Sequence, residues 1–288
     1  MLLHSFLDKD TETFSHILVD EVNQLCAIVD PVLNYDFKSG RTSSDNADKL
    51  IDFINRHNWQ LKYIIETHAH ADHLSSASYI KKAMGGKTVI GKHITKVQTI
   101  FKEVFNLDTS FKTDASQFDI LTDEGTKLQL GDISITAMHV PGHTPADMAY
   151  VAKHNKQTFI FVGDTIFAPD VGTARCDFPG GDANALYASI QRLLNLPKDT
   201  LLCLCHDYPP EGRDYKATTT VGEQKRLNKH VKDGISQTEF VTMREARDKS
   251  LSMPRLILPS VQINIRAGEL PEPENNGIRY LKVPLNAL

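Results

Sequence analysis

Cysteine is scarce: Cys26, Cys176, Cys203 and Cys205 are the whole complement of a 288-residue chain. Thiols so few and so spread make no disulfide framework. Cys203 and Cys205 alternate with leucines in LLCLCHD, and Cys26 lies in LCAIVD, so all three read as inert core residues on strands. Cys176 sits in a polar stretch instead. Excess positive charge is lacking too. Lys and Arg number 32 against 36 Asp and Glu, a net −4 with both signs mixed along the chain. That excludes the electrostatic footprint of a nucleic-acid or anionic-membrane binder. No apolar run approaches 18 residues, so no membrane span is expected. Neither a low-complexity linker nor a repeat divides the chain, which points to one domain over 1–288. The opening MLLHSFLDKD turns charged within eight residues and has no Arg/Ser-rich amphipathic stretch, so a cytoplasmic location is expected.

What is present is a mixed pattern. SHILVD and CAIVDPV read as adjacent strands, and DNADKLIDFINRHN as a helix with Ser44 or Asp45 at its N-cap. LKYIIETH is a strand, SSASYIKKAM a helix stopped by Gly85-Gly86, KTVIG a short strand, and ITKVQTIFKEVF an amphipathic helix. KLQLGDISITAMHV and DMAYVAKHNKQTFIFVGD then read as hairpins, ALYASIQRLLNL as a helix and TLLCLCHDY as a strand. SQTE at Ser236–Glu239 fits a capping box. From about residue 253 the pattern is Pro-rich and mixed, and an extended segment is expected. Two mixed sheets packed together with helices outside would give an α/β fold of four layers.

The densest chemistry is in ETHAHADH, where His68, His70, Asp72 and His73 crowd into six residues. No apolar core tolerates four such groups without a cation or water to satisfy them. His143 follows a Pro-Gly turn in HVPGHTPAD, Asp164 ends the apolar run FIFVGD, and His206 ends LCLCH. Strand ends and the loops after them are where α/β sheets place reacting groups. Imidazole and carboxylate together suit Zn(II), Fe(II) or Mn(II). His4, His16, His57, His93, His139, His154 and His230 read as structural or exposed.

THAHADH, PGHT, GDTIF and CHDY, in this order, resemble the metallo-β-lactamase superfamily from about residue 12 to the C-terminus. The resemblance implies an αββα four-layer sandwich with metal at one edge of the two sheets. It places His68, His70 and His143 at a first metal position and Asp72, His73 and His206 at a second, with Asp164 able to bridge. Within the superfamily, IVDPVLNYD, GTARCDFPGGDANALYASI and LPSVQINIRAG resemble the persulfide (sulfur) dioxygenases, the family of the ethylmalonic-encephalopathy protein, in the form of its bacterial branch. Here the loop between Asp164 and Arg175 is two residues longer than is typical.

That likeness implies one Fe(II) per chain on His68, His143 and Asp164, with His70, Asp72, His73 and His206 close by but not ligating. It implies oxidation of glutathione persulfide by O2 to sulfite in sulfide detoxification, in a homodimer. Arg175, Tyr208 and Arg266 become the expected substrate contacts, because a guanidinium fork suits carboxylates, and Asp177 is expected to orient Arg175. Cys176 stands where the typical loop has Thr. The alternative is a two-zinc hydrolase of glyoxalase II type, acting on a thioester or ester through both metal positions. The near absence of a separate basic C-terminal helical domain weighs against it.

Overall fold

The computed structural model describes residues 1–286. An antiparallel run opens the chain: β1 (Leu2–Asp8), β2 (Thr13–Asp20) and β3 (Leu25–Val29). Sequence pattern marks β2 and β3; β1 is an addition. The apolar stretch does not continue as one strand, because Asp30 takes a left-handed backbone at φ 51°. Beyond it β4 (Val32–Asp36) leaves the sheet and turns back as β5 (Arg41–Ser43). Helix α1 (Asp45–Arg56) starts at Ser44 and buries Ala47, Leu50 and Ile54. Then come β6 (Gln60–Ile65), β7 (Leu74–Ser75), α2 (Ala77–Met84), β8 (Lys87–Gly91), α3 (Ile94–Val104) and β9 (Ile120–Thr122). The first large sheet has the order β1-β2-β3-β6-β8-β9, and β5-β4-β7 form a small separate one.

The second large sheet begins as a meander of β10 (Lys127–Leu130), β11 (Ile133–His139), β12 (Met148–His154) and β13 (Gln157–Phe161). Helix α4 (Ala183–Leu194) crosses over to β14 (Leu201–Cys203), parallel to β13, and β15 (Thr218–Thr220) closes the edge. The helices α5 (Val221–Leu227), α6 (Gln237–Asp248) and α7 (Ile257–Asn264) follow. Ser236 and Glu239 complete the expected capping box on α6.

Period-two alternation sorts the strand residues between layers. Leu18, Val29 and Ile65 point inward and meet Ile135, Tyr150 and Phe161 of the second sheet. Their neighbours Ile17, Ile28 and Ile64 point outward onto Leu50, Ile54 and Ile80 of α1 and α2. Val151, Ile160 and Leu202 face Leu186, Ile190 and Phe240 of α4 and α6. The result is the expected αββα sandwich, in which each fully buried Leu or Ile contributes about 1.5–3 kcal/mol. No helix among the described residues is long and apolar enough to cross a membrane.

The C-terminal segment corrects part of the expectation of an extended tail: α7 is helical, whereas residues 269–286 carry no helix or strand. Ile257, Val261 and Ile265 recur at helical spacing and dock α7 on Phe101 and Phe105 around α3. Pro259 does not prevent this. It lies in the first turn, where its missing N–H has no intrahelical partner to lose.

Candidate metal centre

Four loops converge on one edge of the sandwich, each leaving the C-terminal end of a strand: after β6, β11, β13 and β14. Two glycines permit the close approach. Gly142, before His143, has φ 148°, and a Cβ there would lie 2.3 Å from Leu186 Cα. Gly163, before Asp164, has φ 52°, and a Cβ would sit 2.8 Å from Thr67 Oγ1, beside His68. Both are backbone positions that side-chain-bearing residues rarely adopt.

His68, His143 and Asp164 meet with Nε2 to Oδ2 distances of 3.9 Å and 3.7 Å. Their hydrogen bonds set the tautomers. His143 Nδ1–H donates to the Arg175 carbonyl at 2.8 Å. The Thr67 hydroxyl spends its proton on Asp30 Oδ2 at 2.9 Å, so at 3.0 Å it accepts from His68 Nδ1–H. Both rings therefore aim a bare Nε2 lone pair at Asp164, the form that ligates a metal. Burial, then the neighbouring imidazoles, hold His68 well below the usual pKa and keep it neutral.

A second group adjoins the first. His206 Nε2 lies 3.0 Å from Asp72 Oδ2 and 3.5 Å from Asp164 Oδ1, and His73 Nδ1 lies 3.5 Å from Asp72 Oδ1. Burial opposes charge on His206, but Asp72 and Asp164 outweigh it and raise its pKa to about 9. His70 turns Nε2 towards Asp30 Oδ1 at 3.0 Å and Glu66 Oε2 at 3.4 Å. Those carboxylates override burial and hold His70 well above the ordinary imidazole range.

The residues fit a cation. His68 Nε2, His73 Nε2 and Asp164 Oδ1 are buried without a hydrogen-bond partner, a cost a protein rarely carries unless something else satisfies those atoms. Ligands about 2.0–2.2 Å from one ion stand about 3–3.5 Å apart, so the two distances from Asp164 need to contract by only a few tenths of an ångström. This is a metal-binding site.

A cavity of about 470 Å³ opens onto it through Asp72, His143 and Asp164. Phe167, Val171 and Phe178 give it apolar wall, and Asp10, Glu12, Arg175, Arg244, Arg247 and Arg255 line it with charge. Its size is that of an ordinary small-molecule site.

A family model described as the metallo-beta-lactamase superfamily matches residues 14–206. The chain belongs to the metallo-β-lactamase superfamily. A probable metallo-hydrolase of Burkholderia pseudomallei is 51% identical over the whole of both chains. Glyoxylase B2 of Dictyostelium discoideum is 47% identical over 98% of this chain and 96% of its own. The mitochondrial persulfide dioxygenase ETHE1 of Homo sapiens is 26% identical over 93% of this chain and 89% of its own. Among solved structures, ETHE1 from Myxococcus xanthus superposes with a TM-score of 0.73 at 25% identity, covering 93% of this chain and 100% of that one.

Of the residues expected in a superfamily site, the structure gathers all seven metal-ligand candidates, and Arg175 and Tyr208 line the cavity. Arg266 does not. Its guanidinium lies over the Phe111 ring at 4.4 Å and donates to the Gln262 carbonyl, so its side chain is spent on packing α7 against the segment after α3. Asp177 holds Arg175 as expected, gripping its fork at 2.5 Å twice, and the Ser252 carbonyl takes a third bond. Cys176 is buried rather than in a polar setting, does not line this cavity, and has its thiol pKa pushed up by burial, unlike a reactive thiol. Sequence reasoning missed Asp30, whose carboxylate takes Thr67 N–H, the Thr67 hydroxyl and His70. An acid ending an apolar strand, as in AIVD, is the signal that could have found it. Arg244, Arg247 and Arg255 carry no such local mark.

Proposed function

We propose that this chain is a non-haem Fe(II) persulfide dioxygenase acting on glutathione persulfide or a similar low-molecular-weight persulfide. The balanced reaction is persulfide, O2 and water giving thiol, sulfite and two protons. The observation that carries it is the group His68, His143 and Asp164, two bare imidazole nitrogens and one carboxylate, two of whose members face a cavity of about 470 Å³. Such a set suits Fe(II), which would supply a redox-active centre with positions left open for sulfur and O2. The likeness to ETHE1 over nearly the whole chain supports the same reading.

The chain's own residues have definable tasks in it. Thr67 and the Arg175 carbonyl fix the tautomers of His68 and His143. Phe167 and Phe178 keep water from the apolar side of the cavity. Tyr208 stacks on His206 at 5.7 Å with an 8° interplanar angle, beside the ligand loops. Its phenol is protonated at neutral pH, so it is available as a hydrogen-bond donor.

A two-zinc thioester or ester hydrolase is the second reading. Asp72, His73 and His206 also converge, and the identity to glyoxylase B2 is high. Anaerobic purification, metal analysis and O2 uptake with glutathione persulfide separate the two. About one iron per chain with O2 uptake supports the dioxygenase. Two zinc ions and no O2 uptake refute it in favour of the hydrolase.

A further inference from the structure

Four guanidiniums line the cavity, and they differ in what else they hold. Arg175 is gripped by Asp177, and Arg244 by Asp248 at 2.5 Å. Those two charges are already neutralised. Arg247, in the last turn of α6, makes no side-chain ion pair or hydrogen bond among the described residues. Arg255, just before α7, donates only to the Asp10 carbonyl at 3.0 Å and lies over the Phe37 ring at 5.1 Å. Two positive charges therefore face the same cavity as the metal ligands without a carboxylate of their own.

Asp10 and Glu12 line that cavity too. They oppose a polyanion such as a phosphorylated thiol and offer acceptors to an ammonium group. Arg forks pair with carboxylates in two parallel bonds. The combination fits a small peptide-like thiol with carboxylates and an amine, in a volume of about 470 Å³. We propose that Arg247 and Arg255 are the specificity-determining residues of this site, reading the carboxylates of such a carrier while its sulfur end lies at His143 and Asp164. The inference rests on the proposed function for the identity of the sulfur group; a thioester of the same carrier would be held in the same way.

The test measures binding rather than turnover. Metal-loaded protein, kept anaerobic, is titrated calorimetrically with reduced glutathione and with glutathione diethyl ester. Arg247→Ala and Arg255→Ala each weaken glutathione binding about tenfold and the double variant more, with metal content unchanged. The diethyl ester binds the parent more weakly, and neither substitution alters its affinity much. Arg247→Lys with Arg255→Lys restores part of the loss, which a purely structural role would not predict. Glutathione binding to the double variant within twofold of the parent, ester binding as tight as glutathione, or no binding to the parent overturns the assignment. O2 uptake is scored separately. Arginine-dependent glutathione binding without persulfide oxidation refutes the dioxygenase reading and leaves this inference standing.

Discussion

Two of the four loops that build the centre are secured in opposite ways. The loop after β6 carries His68, His70, Asp72 and His73 and is tied from close at hand. Asp30 on the neighbouring strand end, Thr67 and Glu66 hold its imidazoles, and Ser75 Oγ donates to Glu66 at 2.5 Å. The loop after β13 carries Asp164 and the Arg175 carbonyl and is tied from far along the chain. Arg244 donates to the Thr173 carbonyl, Asp248 accepts Cys176 N–H, His230 accepts Thr173 N–H, and Asn228 donates to the Gly172 carbonyl. Thr173 and Cys176 flank Arg175, so α6 reaches His143 through the backbone. One loop supplies ligands and the means to orient them; the other borrows its rigidity from another layer.

Asp248→Ala is the largest break in this comparison. It strands the guanidinium of Arg244, only 2% exposed, without its partner. A buried unpaired charge costs about 3–5 kcal/mol, and denaturant unfolding should show that loss. Metal affinity should fall as well, because the Arg175 carbonyl that orients His143 loses its clamp. An unchanged midpoint would mean that the clamp holds nothing. Asp30→Asn, the matching break in the other loop, should cost about 1–3 kcal/mol through its poorly met donors. Its sharper effect should be on metal affinity, about 10–100-fold weaker in a chelator competition.

These two loops also explain what was legible beforehand. The four-layer sandwich was, because strand alternation and helical spacing are local patterns; Ile17/Leu18 and Ile64/Ile65 divide between layers on that basis alone. The seven ligand candidates were, because metal chemistry demands unusual side chains, four of them in one short run. Arg266 was expected at the substrate and lies over Phe111, a direction that a motif match along the chain does not fix. Arg247 and Arg255 were invisible, since what qualifies them is the lack of a carboxylate partner, a property of the folded surface. Helix α7 was masked by Pro259, which its first turn accommodates.

His230 sharpens the comparison through pH. Its Nδ1 accepts the Thr173 N–H, which requires a neutral nitrogen, and burial followed by Arg244 lowers its pKa to about 4. The unfolded chain takes up that proton near the ordinary value of about 6.5. Its contribution is therefore complete above about pH 6.5, falls as the pH drops, and is lost by about pH 4. His230→Asn, whose Oδ1 can accept the same N–H, should flatten that part of the stability profile; an unaltered slope would contradict it. The smallest effect belongs to the cavity mouth. Arg247→Ala should change stability by less than about 0.5 kcal/mol, as expected for an exposed side chain without partners, and a larger loss would show that it serves the fold.

The most direct test of the central claim is the metal content of three anaerobically prepared proteins: the parent, His143→Ala and His206→Ala. One iron on His68, His143 and Asp164 predicts about one iron per chain in the parent, near zero in His143→Ala, and most of the iron kept in His206→Ala. Two zinc ions in the parent, with one lost in each variant, would contradict it.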